Sequence, residues 1–149
     1  MLAYLRLSGF DGDLFLGCFP YLLEKVRSAS GPLRSQTAAL VRRIWATYYP
    51  LTDESDMAFC LGTLLCAMEY YGQALEYLEC SIEEYGPNPQ RLYNVALCCY
   101  RLRDWDRARD AVGQALEIAP DFSKARDLSI AIEGARESTQ TAYAGTVLP

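Results

Sequence analysis

The chain has 149 residues, of which 51% are hydrophobic and 22% are charged, a composition typical of one globular domain rather than a disordered segment. It contains no histidine, which excludes a Ser-His-Asp triad, a histidine general base and histidine metal ligands. The formal net charge of −5 argues against a dedicated nucleic-acid-binding protein, whose signature is a basic patch. The sequence has no phosphate-binding loop, and we expect no enzymatic activity, no cofactor and no metal.

The six cysteines lack the C-x-x-C spacing of zinc and thioredoxin-like sites. Most of them lie within apolar runs, so we interpret them as reduced, buried small hydrophobic residues. Reduced cysteines favour a reducing compartment, and we expect a cytoplasmic location. The longest uncharged interior run, residues 57–68, is shorter than the roughly 20 residues of a membrane span. The first residues lack the basic and apolar regions of a signal peptide.

The N-terminal third predicts two helices after an extension at residues 1–13. Pro20 fits the first turn of a helix over residues 20–29, and whether this helix also includes Leu14 is left open, because a central proline would break it. The second helix follows from apolar and small residues at helical spacing. These residues are Leu33, Thr37, Leu40, Val41, Ile44 and Tyr48. We interpret residues 14–50 as a helical hairpin that stacks on the following segment as a divergent copy of it.

Residues 55–88 and 89–122 align with each other without a gap, at a period of 34 residues. Each copy indicates a helix, a short turn and a second helix. The aligned pairs are Leu61 with Val95, Gly62 with Ala96, Leu65 with Cys99, Tyr71 with Trp105, Ala74 with Ala108, Leu78 with Val112, Ser81 with Ala115 and Ile82 with Leu116. The small residue, Gly62 or Ala96, would let the two helices of one copy approach closely. The linker LTDESD before the first copy has Asp and Ser residues that can cap its first helix.

The second copy contains the signals that begin and end its helices. Pro89 fits the first turn of one helix, Asp104 is a suitable N-cap for the other, and Pro120 ends it. Its two predicted buried stripes are Leu92, Val95, Ala96 and Cys99, and then Ala108, Val112, Ala115 and Leu116.

This second copy closely resembles a tetratricopeptide repeat in its small-residue pair, its aromatic residue after the turn, its alanines and its terminal proline. The first copy is a looser match, with Ser81 in place of an alanine and the terminal proline one residue later, at Pro87. The resemblance implies an all-α fold, a right-handed superhelical stack of antiparallel helix hairpins. Residues 123–137 are then expected to be the closing helix that hides the last apolar face, and residues 138–149 a flexible tail.

Tetratricopeptide repeats bind other proteins, so the resemblance implies an adaptor that holds a peptide or amphipathic helix in a concave groove. The residues of this chain that align with the groove-lining positions of the family are Asp56, Phe59, Thr63, Cys66, Ala67, Gln90, Tyr93, Asn94, Leu97, Tyr100, Arg101, Lys124 and Asp127. The alternative for Phe59 and Tyr93 is packing between neighbouring repeats. The family's carboxylate clamp is incomplete: Asn94 and Lys124 fall on its positions, but the others are occupied by Phe59, Thr63 and Leu128.

The charge is unevenly distributed along the chain. Residues 53–84 contain eight acidic residues and no basic one, which a solvated convex face explains; the alternative is a docking surface for a basic partner. Two other functions remain open beside the adaptor: a small chaperone for a secreted client protein, and a regulatory or oligomerisation domain of a larger enzyme. The expected partner is another protein, with self-association also open.

Overall fold

A computed structural model describes residues 20–21, 23–28, 31–48 and 56–144 of the protein. Within these ranges the regular structure is helical and no strand occurs, which confirms the all-α prediction. The helices from residue 31 onward are α1 (Gly31–Tyr48), α2 (Met57–Ala67), α3 (Tyr71–Tyr85), α4 (Pro89–Arg101), α5 (Trp105–Ile118) and α6 (Ser123–Ala144). None of the described helices is long and apolar enough to cross a membrane.

The chain divides into two compact units, one ending at Tyr85 and one beginning at Gly86. The helical residues 20–21 and 23–28, together with α1, α2 and α3, belong to the first unit, and α4, α5 and α6 belong to the second. The predicted extension at residues 1–13, the beginning of the predicted hairpin and the linker before Asp56 lie outside the described residues.

In the first unit, α2 and α3 form an antiparallel hairpin around a tightly packed apolar core. Asp56 is the N-cap of α2, and its carboxylate accepts a hydrogen bond from the backbone N–H of Phe59 at 3.0 Å. A Cβ atom placed on Gly62 would lie 2.8 Å from Cγ of Leu78, so the close approach predicted at Gly62 is confirmed. The fully buried side chains of this core include Met57, Leu61, Leu64, Leu65, Leu78 and Ser81.

Helix α1 contacts α2 and makes polar contacts with the turn that follows it. Thr37 and Ala38 are buried, but Leu33, predicted for the same stripe, is 52% exposed. Regular spacing puts Leu33 on the face of Thr37, yet a side chain on that face is buried only where another element covers it, and about half of Leu33 stays exposed. The side chains at positions 40, 41, 44 and 48 are outside the described ones.

In the second unit, α4 and α5 form the equivalent hairpin, and α6 packs against α5 and contacts α4. Leu92, Val95, Ala96 and Cys99 are all buried, as predicted for the first stripe. In the second stripe the prediction of Leu116 was wrong, because Leu116 is only half-buried and Ala111 is buried in its place.

Helix α6 is longer than the predicted closing helix, which was expected to end at residue 137. It continues to Ala144, so residues 138–144 of the predicted tail are helical. The hydroxyls of Ser138, Thr139 and Thr141 each donate a hydrogen bond to the carbonyl four residues earlier, and no proline or glycine interrupts this segment. Ala125, Leu128 and Ile132 form the buried apolar face of this helix.

The turn between the two helices has the same hydrogen bonds in both repeats. The N–H of Tyr70 donates to the carbonyl of Leu65 at 3.0 Å, and the N–H of Asp104 donates to the carbonyl of Cys99 at 2.9 Å. This bond to the fifth preceding residue is the signature of a Schellman motif, which ends a helix and satisfies its last carbonyl groups. Asp104 is also the N-cap of α5, as predicted.

Candidate functional site

Helix α4 presents two different faces along its length. One face, formed by the first predicted stripe, is buried in the second unit. The other face carries Tyr93, Leu97 and Tyr100, which recur at the i, i+4 and i+7 positions and are each partly exposed. Three large side chains therefore form a partly open row along one helix, at positions that the repeat register assigns to a ligand-binding groove.

Two of the three side chains are held in place by neighbouring aromatic rings. The ring of Tyr93 lies 5.3 Å from that of Phe122, centroid to centroid, and the ring of Tyr100 lies 5.6 Å from that of Trp105 in an edge-on arrangement. Tilted and edge-on pairs are favourable geometries for aromatic side chains. The contacts support one edge of each tyrosine ring and fix its orientation, while part of each side chain still faces solvent.

Exposed polar side chains lie at both ends of this row. Gln90 is on the first turn of α4 and Arg101 on its last, and both are exposed. Lys124 and Asp127, on the first turns of α6, are exposed as well. Because Phe122 directly precedes α6 and contacts Tyr93, these two charged residues lie near the Tyr93 end. The α4–α6 surface, defined as Gln90, Tyr93, Leu97, Tyr100, Arg101, Lys124 and Asp127, thus has an apolar centre and a polar rim.

Two predicted groove residues lie in the interior instead. Cys66 and Asn94 are only 9% and 6% exposed, so neither offers a surface to a partner, and both are left out of the α4–α6 surface. The side chain of Asn94 lies one helical turn before Cys98, which is fully buried. The alignment with the repeat pattern correctly gave the side of the helix on which these residues lie. It could not show how much of that side is covered by the rest of the unit.

The predicted groove residues of the first unit are partly exposed at Phe59, Thr63 and Ala67. The hydroxyl of Thr63 donates to the carbonyl of Phe59 at 2.8 Å, an internal helix contact. The carboxylate of Asp56 is occupied by the cap of α2 and by the hydroxyl of Ser81, 2.9 Å away. In this unit the predicted site residues therefore serve the local structure as well as the surface.

Phe122 and Trp105 support the two tyrosines, a role that was not predicted from the sequence. Trp105 was recognised only as the aromatic residue after the turn, and Phe122 lies just beyond the proline that ends α5. Both follow a helix end: Trp105 contacts the helix that has just ended, α4, whereas Phe122 follows α5 and also contacts α4. The sequence feature that could have predicted these contacts is an aromatic residue that follows the end of a helix.

The cysteines have the character of core residues. The structure gives thiols rather than disulfides at Cys60, Cys66, Cys80, Cys98 and Cys99, whereas Cys18 is outside the described residues. Burial, followed by the negative charge of Asp56, raises the pKa of Cys60 to about 12. Burial, Glu83 and Asp56 likewise raise the pKa of Cys80. Neither thiol is activated as a nucleophile, since activation requires a lowered pKa. Within the described part of the chain, no cluster of potential ligands could hold a metal ion.

Charged residues in both units form ion pairs with near neighbours. Glu69, one of the acidic residues of the first repeat, lies 3.4 Å from the guanidinium of Arg34 on α1. In the second unit Arg107 lies 3.9 Å from Asp104, and Arg136 lies 3.8 Å from Asp106. These pairs are largely solvent-exposed, so each contributes little to stability.

Comparison with protein families finds a match that lies within the second unit. Residues 90–137 match the family model described as Fis1 C-terminal tetratricopeptide repeat, a segment that includes nearly all of α4, the whole of α5 and much of α6. The match confirms a tetratricopeptide-like repeat in this chain, and repeats of this type are protein–protein interaction modules. Searches of curated proteins and of solved structures found no match.

Proposed function

We propose that the protein is an adaptor that binds a peptide segment or an amphipathic helix of another protein on the α4–α6 surface. The observation that carries the proposal is the row of Tyr93, Leu97 and Tyr100, which is partly exposed along one face of a helix whose opposite face is buried. The i, i+4 and i+7 spacing places the three side chains on one face of α4, where a single bound segment can contact all of them.

The energetics of such a surface favour binding. Tyrosine and arginine are enriched among the residues that dominate binding energy, because they bury a large area at a small entropic cost. Here Phe122 and Trp105 already restrict the tyrosine rings, so less conformational entropy is lost when a partner covers them. Each square ångström of apolar surface removed from water contributes about 25 cal/mol before those losses.

The polar rim would orient the bound segment. Lys124 and Asp127 lie at the Tyr93 end and Arg101 at the opposite end. A segment with an acidic residue at the Arg101 end and apolar residues at its centre would complement this arrangement. A cytoplasmic location and the absence of enzymatic activity stay predictions.

The experiment is affinity capture from native extract with quantitative mass spectrometry, comparing the wild-type chain with Leu97→Ser and with Tyr93→Ala/Tyr100→Ala. The matched control is Ile118→Ser, which removes an apolar side chain that is 53% exposed at the end of α5 and does not belong to the row on α4. We expect one set of partners to be lost from both row variants and retained by the control. Retention of every partner by both row variants would contradict the proposal.

The captured partner is then made as a purified protein to measure its dissociation constant by calorimetry. If that partner is soluble without the chain, the adaptor role is supported. If it precipitates without the chain and stays in solution with it, the narrower role of a dedicated chaperone is supported instead.

A further inference from the structure

The two repeats have turns of the same conformation but opposite charge. Glu69 in the turn at residues 68–70 has a φ of 69°, and Arg103 in the turn at residues 102–104 has a φ of 63°. Both occupy the left-handed position of the Schellman motif, which glycine adopts at the lowest cost. A charged residue at this position in both repeats presents its side chain on a rigid turn, in a place where glycine would present none.

The turn of the first repeat is a docking point for a helix. Glu69 lies 3.4 Å from Arg34 of α1, and the hydroxyls of Tyr70 and Ser35 lie 3.4 Å apart. On the same helix Thr37 and Ala38 are buried. In this unit Arg34 of α1 therefore pairs with the turn, and two small buried residues follow it on the same helix.

The corresponding turn of the second repeat is more exposed. Leu102 is 48% exposed, whereas Met68, at the same register position in the first repeat, is 2% exposed. Arg103 is exposed, and among the described residues no acidic side chain lies within ion-pair distance of it. The nearby carboxylate of Asp104 is used as the cap of α5 and contacts Arg107.

We propose that the turn at residues 102–104 is a second protein-docking surface, which binds a partner helix carrying a carboxylate followed by small apolar residues. Such a helix is the charge-reversed counterpart of α1: its carboxylate would pair with Arg103 as Arg34 pairs with Glu69, and its small residues would cover Leu102. Two observations support this proposal. In the first repeat a helix pairs with the turn through an ion pair, and the positive charge of Arg103 complements a carboxylate. This surface is separate from the row of Tyr93, Leu97 and Tyr100 and does not depend on it.

The probe, called the R34E peptide, consists of residues 31–48 with Arg34→Glu and is held helical by a side-chain cross-link between positions 39 and 43, both exposed in α1. The reference peptide has the same cross-link and keeps Arg34. Each peptide is titrated into the full ¹⁵N-labelled chain, and the amide shifts are followed by NMR. We expect the R34E peptide to shift the amides of residues 102–104 and to bind roughly fivefold more tightly than the reference peptide, the effect of one exposed ion pair.

Two variants of the chain test the contacts separately. Arg103→Glu is expected to invert the preference, so that the reference peptide binds more tightly. Leu102→Ser is expected to weaken binding of the R34E peptide about tenfold, the effect of losing a half-buried leucine side chain, while the circular dichroism spectrum stays unchanged because Leu102 is exposed.

Three results would overturn the proposal. One is the absence of shifts at residues 102–104 at millimolar peptide. The second is an unchanged preference in Arg103→Glu. The third is a set of amide shifts confined to the row of Tyr93, Leu97 and Tyr100. That result would support the proposed adaptor surface and rule out a docking surface at residues 102–104. Concentration-dependent shifts at residues 102–104 without any peptide would assign the turn to a second copy of the chain and overturn the proposed partner helix.

Discussion

The hydroxyl of Ser81 donates a hydrogen bond of 2.9 Å to one carboxylate oxygen of Asp56, while the other oxygen accepts from the backbone N–H of Phe59. One aspartate therefore caps α2 and joins it to the middle of α3. Ser81 is fully buried, and the aligned residue of the second repeat is Ala115. The serine that departs from the tetratricopeptide pattern thus has a structural role specific to the first repeat.

Replacing Ser81 with Ala is expected to lower the free energy of unfolding by about 1 kcal/mol, since one hydrogen bond to a charged acceptor is lost. Asp56→Ala is expected to cost about 2 kcal/mol, because it removes both the cap of α2 and the hydrogen bond from Ser81. Urea denaturation of the wild type, both single variants and the double variant measures the coupling. Strictly additive losses would contradict the role given to this pair.

Gly62→Ala is expected to lower the free energy of unfolding by about 1–3 kcal/mol, because the added methyl group would lie 2.8 Å from Cγ of Leu78 and 3.2 Å from the carbonyl oxygen of Ala74. The matched control is Gly113→Ala in α5, where nothing lies within 4 Å of the added atom. There alanine is expected to stabilise by about 0.5–1 kcal/mol, as in any open helix interior. Thermal and urea unfolding measure the change in the free energy of unfolding for both variants. If both variants were stabilised, or both destabilised, the prediction would be contradicted.

The raised pKa of Cys60 predicts a loss of stability at alkaline pH. Burial and Asp56 raise this pKa from 9.0 to about 12. Below pH 9 the thiol is neutral in both the folded and unfolded chain, so pH has no effect through it. Between pH 9 and 12 the unfolded chain ionises first, and the free energy of unfolding falls by up to about 1.4 kcal/mol per pH unit.

Cys60→Ala is the variant that isolates this effect, since its cost from lost packing is independent of pH. Urea unfolding at pH 7, 9 and 10.5 is expected to show a steeper decline in the wild type than in the variant. The two slopes would coincide if the Cys60 thiol ionised as easily in the folded chain as in the unfolded one.

Arg103→Gly is expected to raise the free energy of unfolding by about 0.5–1 kcal/mol, because glycine adopts the positive φ of this turn without steric cost. Glu69→Gly relieves the same cost in the first repeat but removes the ion pair with Arg34, so a smaller gain is expected. Arg103→Val, with a β-branched side chain at φ of 63°, is expected to destabilise. Thermal melts of the three variants decide the order, and a stabilising Arg103→Val would contradict the strain argument.

Much of each hairpin could be predicted from the residues of that hairpin. The N-cap at Asp104, the proline in the first turn at Pro89, the stop before Pro120 and the buried stripe through Val95 and Ala96 depend on interactions within about one helical turn. Their signals lie next to each other along the chain. The close helix contact at Gly62 was also predictable, because only a missing side chain allows it.

What the sequence by itself determined is therefore the repeat period, the helix limits within each repeat and the face on which each side chain lies. Only the tertiary structure decided which faces are covered. Met68 and Leu102 have the same register position, yet one is buried and the other is exposed; Asn94 is buried and Leu33 is not. The physical reason is that periodicity describes a single helix, whereas burial depends on elements that are distant in the chain.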